Sequence, residues 1–127
     1  MRRSALLAVA AVLTAVDLAE KAGRPVYGHP RSGLYVVAGT AAVVALVALV
    51  PRVPSLALSV CAGIAAAGAL GNVVSALVWR GGVPNPIVVG DLAFNVADVC
   101  AVVGAVGLVG GAALFALRHP ALLRQPV

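Results

Sequence analysis

SLALSVCAGIAAAGALGNVVSALVW, Ser55 to Trp79, runs without one charged side chain and holds its single carboxamide, Asn72, near its end. A helix needs about 20 mostly apolar residues to cross about 30 Å of hydrocarbon, and this stretch is long enough. Working outward, apolar runs recur at about Ser4 to Ala19, Leu34 to Val50 and Ala93 to Leu117. The expected architecture is therefore an all-α membrane protein. It is a four-transmembrane-helix bundle in one domain over 1–127, with spans at about 4–19, 34–50, 55–79 and 93–117. Composition agrees: 62% of residues are hydrophobic and 10% charged, against roughly 25% charged in soluble domains.

The breakers between these runs set the connections. Pro51-Arg52-Val53-Pro54 reads as a tight turn, because neither proline continues a helix. Glu20 to Gly33 and Arg80 to Leu92 are longer, Gly- and Pro-containing connections, expected as two loops on the outer face. The first run follows Arg2 and Arg3 like a secretory signal. However, Asp17-Leu18-Ala19-Glu20-Lys21 is charged where a cleavage site needs small neutral residues, so a retained span is expected.

A net charge of +5 raises the question of nucleic acid, but the nine basic residues are scattered over tails and loops with no aromatic stacking platform. No nucleic-acid partner is expected. Arg2, Arg3, Arg52, Arg118 and Arg124 fall on one side of the membrane, and Lys21, Arg24, Arg31 and Arg80 on the other. The paired arginines ahead of the first span favour both termini in the cytoplasm. Trp79 then serves as an interfacial anchor near the outer leaflet.

Successive spans run in opposite directions, so the end of the first, the end of the third and the start of the fourth meet at one face. Asp17, Asn72, Ser75, Asn95 and Asp98 occupy those ends. Polar groups in hydrocarbon are expensive unless paired or hydrated, so their gathering in one layer marks a site. Asn72 and Ser75 are three apart, as are Asn95 and Asp98, so each pair is expected to share a helix face. Asn72 is then placed to orient Asp98, whose position in a first turn offers free amide groups to a carboxylate. The bland alternative is a set of interhelical hydrogen bonds that only fixes the bundle.

Gly63, Gly68 and Gly71 in the third run, and Gly107 and Gly111 in the fourth, allow close helix approach. Intramolecular packing is preferred to a dimer face, and a monomer is expected. Cys61 and Cys100 read as small buried apolar groups, and His29 and His119 as isolated loop and tail residues.

Gly71-Asn72-Val73-Val74, Gly82-Val83-Pro84-Asn85 and Ala93-Phe94-Asn95-Val96-Ala97-Asp98 resemble the blocks of signal peptidase II, the lipoprotein signal peptidase. Asp17-Leu18-Ala19-Glu20-Lys21 is similar to the Asp-x-x-x-Lys block of that family. The order, spacing and four-span plan match over almost the whole chain, with Phe-Asn-x-Ala-Asp as the most specific piece. The resemblance implies an aspartic endopeptidase of the bacterial inner membrane. Its substrates are lipid-modified prolipoproteins, cut before the acylated cysteine, and neither metal nor other cofactor is required. It makes Asp98 one catalytic aspartate, with Asn72, Asn95 and Asp17 as supporting polar residues.

The sequence also departs from that family. Ser75 and Ala76 stand where Asp-Arg is usual. Allowing a one-residue shift, Asn85 stands at the second catalytic aspartate, followed by Pro86. Tyr27-Gly28-His29-Pro30-Arg31 offers no clear counterpart to an Asn-x-Gly block. Two close acids sharing one proton divide the labour of accepting and donating it; an amide does not exchange protons usefully near neutral pH. Asp91 is the candidate replacement acid, in a loop that could fold back over the start of the last span, and Asp17 is a further one. Three functions remain: an intramembrane peptidase, a relative that binds lipidated peptide or lipid without cleaving, and a small transporter or channel subunit. The last lacks internal repeats or a broken mid-membrane span. Expected partners are membrane lipids and a lipid-modified prolipoprotein.

Overall fold

The computed structural model describes residues 1–23 and 27–120. Arg24 and Arg124, which the charge count uses, lie outside the described residues. Among the described residues are four long helices: α1 (Arg2–Ala22), α2 (Gly33–Leu49), α3 (Leu56–Val78) and α4 (Val96–Arg118). A 3-10 turn, Val50–Arg52, joins α2 to α3 around Pro51. Three helical segments, Gly33–Arg52, Leu56–Val78 and Val96–Arg118, are long and apolar enough to cross a membrane. The first helix stands apart because Arg2, Arg3, Asp17, Glu20 and Lys21 interrupt its apolar run.

The chain is mostly helical but not all-α. Among the described residues, four three-residue strands form in the connections: β1 (Tyr27–His29), β2 (Val83–Asn85), β3 (Ile87–Val89) and β4 (Leu92–Phe94). β1 pairs antiparallel with β2 and β3 with β4, so each sheet has two strands. Pro84 fits because a two-stranded ribbon leaves one strand edge free of hydrogen-bonding demands. Gly90, at φ +58, supplies the left-handed backbone that the two-residue loop Gly90-Asp91 needs at its first position. Strands this short are below the reach of period-two reading. They also move the start of the last helix: Ala93 and Phe94 belong to β4, and α4 begins at Val96 with Asn95 as its cap.

α3 is the central helix, packing against α1, α2 and α4. Small residues make that possible. A Cβ on Gly68 would collide with the Ala101 backbone, and one on Gly104 with Ala65. Gly107 and Gly111 face Cys61 and Leu58, so that glycine stripe is occupied within the chain. Cys61 and Cys100 are free thiols in these packed helices. On α1 the buried residues Leu6, Ala10, Thr14, Asp17 and Lys21 recur every three or four positions, one stripe facing α3. That stripe carries two charges into the helix junction. α2 has no buried residue, and on α4 only Ala97, Cys100 and Gly104 are buried. Val99, Val102, Val103, Val106 and Val109 point outward.

Candidate functional site

The polar layer expected from the sequence is a continuous hydrogen-bonded chain running from α1 to β1. It starts at Lys21, buried at 1% exposure, whose ammonium donates to Asp17 Oδ2 at 2.7 Å, Asn72 Oδ1 at 3.0 Å and Ser75 Oγ at 3.0 Å. These three bonds use all three ammonium hydrogens. Asp17 Oδ1 accepts the Ala97 backbone N–H at 2.8 Å, so the carboxylate also serves the first turn of α4. Ser75 passes its own hydrogen to the Gly71 carbonyl at 2.6 Å. Gly71 leaves room for this meeting, since a Cβ there would strike Asp17 and Ala97. Asn72 and Ser75 do share a helix face, and its function is to receive Lys21.

Asn72 then turns its Nδ2 to Asp98 Oδ1 at 2.8 Å, the orienting contact expected between α3 and α4. Asp98 Oδ2 accepts the Asn95 backbone N–H at 3.2 Å while Asn95 Oδ1 accepts the Asp98 N–H at 2.9 Å, closing a capping box. Asn95 therefore does not sit on a helical face beside Asp98, as the three-residue spacing suggests. It precedes the helix and reaches back. Asn95 Nδ2 donates to Pro84 O at 3.1 Å and to Asn85 Oδ1 at 2.7 Å. Asn85 Nδ2 donates to Ala93 O at 3.2 Å and contacts His29 Nδ1 at 3.0 Å. His29, which reads from the sequence as isolated, is the outer end of the chain.

Burial sorts these groups. Asp17, Lys21, Asn72, Ser75, Asn85 and Asn95 are all buried. Asp98 is half-buried and lines an open apolar groove of about 350 Å³ with Phe94, Val99, Val102 and Val103. Both its carboxylate oxygens are held, and it is the residue of this network that lines the groove. Asp91 is exposed at the β3–β4 loop and shares a different cavity, about 260 Å³, with His29, Val88, Gly90 and Ala93. No hydrogen bond among the described residues joins Asp91 to Asp98. Asp17 is committed to Lys21 and to Ala97.

Lys21 is the member of this network that sequence reasoning places among the loop charges. The signal that finds it is its spacing, one turn after Asp17 on the same face. Among the described residues no cluster of His, Cys, Asp and Glu is arranged to hold a metal ion.

Residues 9–114 match the family model of signal peptidase (SPase) II. No curated protein matches the sequence. The family match takes in every residue of the network from Asp17 to Asp98, all of α2 and α3, and most of α4. The chain therefore belongs to the signal peptidase II family and is a membrane protein.

Proposed function

We propose that this member of the signal peptidase II family is an intramembrane endopeptidase that cleaves the signal peptides of lipid-modified prolipoproteins, with Asp98 as its working acid. The observation that carries this reading is Asp98 itself. It is held by Asn72 and by the Asn95 N–H, and it stands at an apolar groove fit for an acyl chain or an apolar signal-peptide segment. A carboxylate positioned there takes a proton from water as the water oxygen bonds to the scissile carbonyl carbon. When the C–N bond breaks, the same proton passes from Asp98 to the leaving nitrogen, and the carbonyl re-forms as a carboxylic acid. One acid balances the reaction.

In this reading α1 is the fourth span. Its 21 residues give about 30 Å of helix at 1.5 Å per residue, and its Asp17–Lys21 pair is turned inward and neutralised rather than exposed to lipid. Both termini lie in the cytoplasm, the strands and Asp98 lie toward the outer face of a bacterial inner membrane, and the chain works as a monomer without metal.

A second reading is favoured by Asn85. At the second-aspartate position, its amide is fully engaged by Asn95, Ala93 and His29. Nothing in that arrangement shares a proton with Asp98, which supports a protein that binds lipidated peptide without cleaving it. Purified protein in detergent, given a diacylglyceryl-modified prolipoprotein, decides between them. Turnover that Asp98→Asn abolishes and Asp91→Asn spares is the expected result. Peptide retained but never cut sinks the peptidase and leaves the binding protein.

A further inference from the structure

The direction of the amide groups determines the chemical state of His29. Asp98 N–H donates to Asn95, so Asn95 Oδ1 must face Asp98 and its Nδ2 must face Asn85. Asn85 is thereby turned with Oδ1 toward Asn95 and Nδ2 toward Ala93 O and His29 Nδ1. An amide nitrogen only donates, so His29 Nδ1 must be the acceptor: the ring is neutral, with its hydrogen on Nε2. Turning Asn85 over would set its oxygen against the Ala93 carbonyl and its NH2 against that of Asn95. Two losses oppose the flip, and the relay has one allowed polarity.

We infer that His29 is a positioning residue for Asp98, acting through Asn85 and Asn95, and only as the neutral Nε2–H imidazole. Protonation puts a hydrogen on Nδ1 facing the hydrogens of Asn85, and the outer bond of the relay is lost. Asn85 Nδ2 then keeps only the Ala93 carbonyl, and the brace behind the capping box that holds Asp98 is weakened. The groups facing His29 fit such a release. Asn85 approaches from β2, and Asp91, across the shared cavity on the β3–β4 loop, offers the imidazolium a counter-ion. Arg31, two residues on, is engaged over the Tyr35 ring at 4.9 Å. His29 is exposed, so protons reach it from the aqueous side, whereas Asn85 and Asn95 are buried.

This inference rests on Asp98 being the working group proposed above, but its test does not require cleavage. The full-length protein in detergent micelles, labelled with ¹⁵N, is titrated by NMR. The expected result is an Nε2–H tautomer of His29 at neutral pH and an Asp98 backbone amide resonance that shifts with the midpoint of His29. In His29→Gln, whose side-chain oxygen accepts from Asn85 but does not titrate, that shift is lost while the Asp98 amide stays near its neutral-pH position. An Nδ1–H tautomer, an Asp98 amide indifferent to His29, or a shift that persists in His29→Gln overturns the inference. Failed prolipoprotein cleavage alongside the expected NMR result would sink the peptidase reading and leave the relay standing.

Discussion

The two halves of the polar layer are built from different materials. The inner half, Asp17, Lys21, Asn72 and Ser75, stands on α1 and α3 and centres on an ion pair at 2.7 Å with both side chains at or below 1% exposure. The outer half, Asn95, Asn85 and His29, stands on a helix cap and two short strands, carries no fixed charge, and ends at the exposed ring of His29. Asp98 is where they meet. A buried ion pair is costly to break and inert to solvent, whereas an amide relay is weak bond by bond, and this one is exposed at its His29 end. The inner half therefore sets the helix positions, and the outer half sets how the acid is presented.

The strongest way to break the comparison is Lys21→Met. It leaves Asp17 buried without its counter-charge, and the expected loss of stability is about 3–5 kcal/mol, read as a fall in the melting temperature in detergent. Only a small loss would mean that the inner half is not a structural ion pair. Asp98→Asn acts at the meeting point. Prolipoprotein turnover is expected to fall about 10²- to 10⁴-fold. Stability should fall by only about 1 kcal/mol, because an amide can satisfy Asn72 or the Asn95 N–H but not both.

Asn85→Asp sharpens the contrast from the other side. It puts an acid where the family resemblance implies a second aspartate, and turnover is expected to rise about tenfold or more. Stability should drop by about 1–3 kcal/mol, since a carboxylate faces the Ala93 carbonyl and the His29 lone pair. Unchanged turnover would argue that the outer half lies beyond reach of the reacting atoms. The smallest effect belongs to Ser75→Ala, which removes one of three acceptors around the Lys21 ammonium. About 1 kcal/mol of stability is expected to go, with turnover within twofold.

Much of the site is legible in the sequence because it uses helix periodicity. Asn72 and Ser75, one turn apart, share a face, and Asp98 in a first turn meets Asn72 across α3 and α4. Lys21 escapes such a reading because a lysine at a helix end is usually a solvated flank; its spacing puts it on one face with Asp17, but only the packing of α1 against α3 turns that face inward. His29 escapes it for a different reason. Its partner Asn85 lies far along the chain and meets it through the β1–β2 pairing, Tyr27 to Asn85 and His29 to Val83, between strands of three residues. Asp91, on the β3–β4 loop, lines a cavity with His29 and makes no hydrogen bond to Asp98 among the described residues.

By itself the sequence determined the features that arise from runs and spacings. Long apolar segments between prolines and glycines make helices of membrane length, and the blocks around Asn72 and Asp98 identify the family. Hydrophobic length and local spacing are properties of consecutive residues, so they survive without a partner. Tertiary structure alone decided which polar groups touch. It paired Lys21 with Asn72 and Ser75, committed Asp17 to the ion pair and the Ala97 amide, and closed the relay on His29. Apart from the Asp17–Lys21 pair, one turn apart on α1, those contacts join residues more than 50 positions apart. Hydrogen bonds depend on orientation to within tenths of an ångström, and only the packing of α1 and the strands against α3 and α4 supplies it.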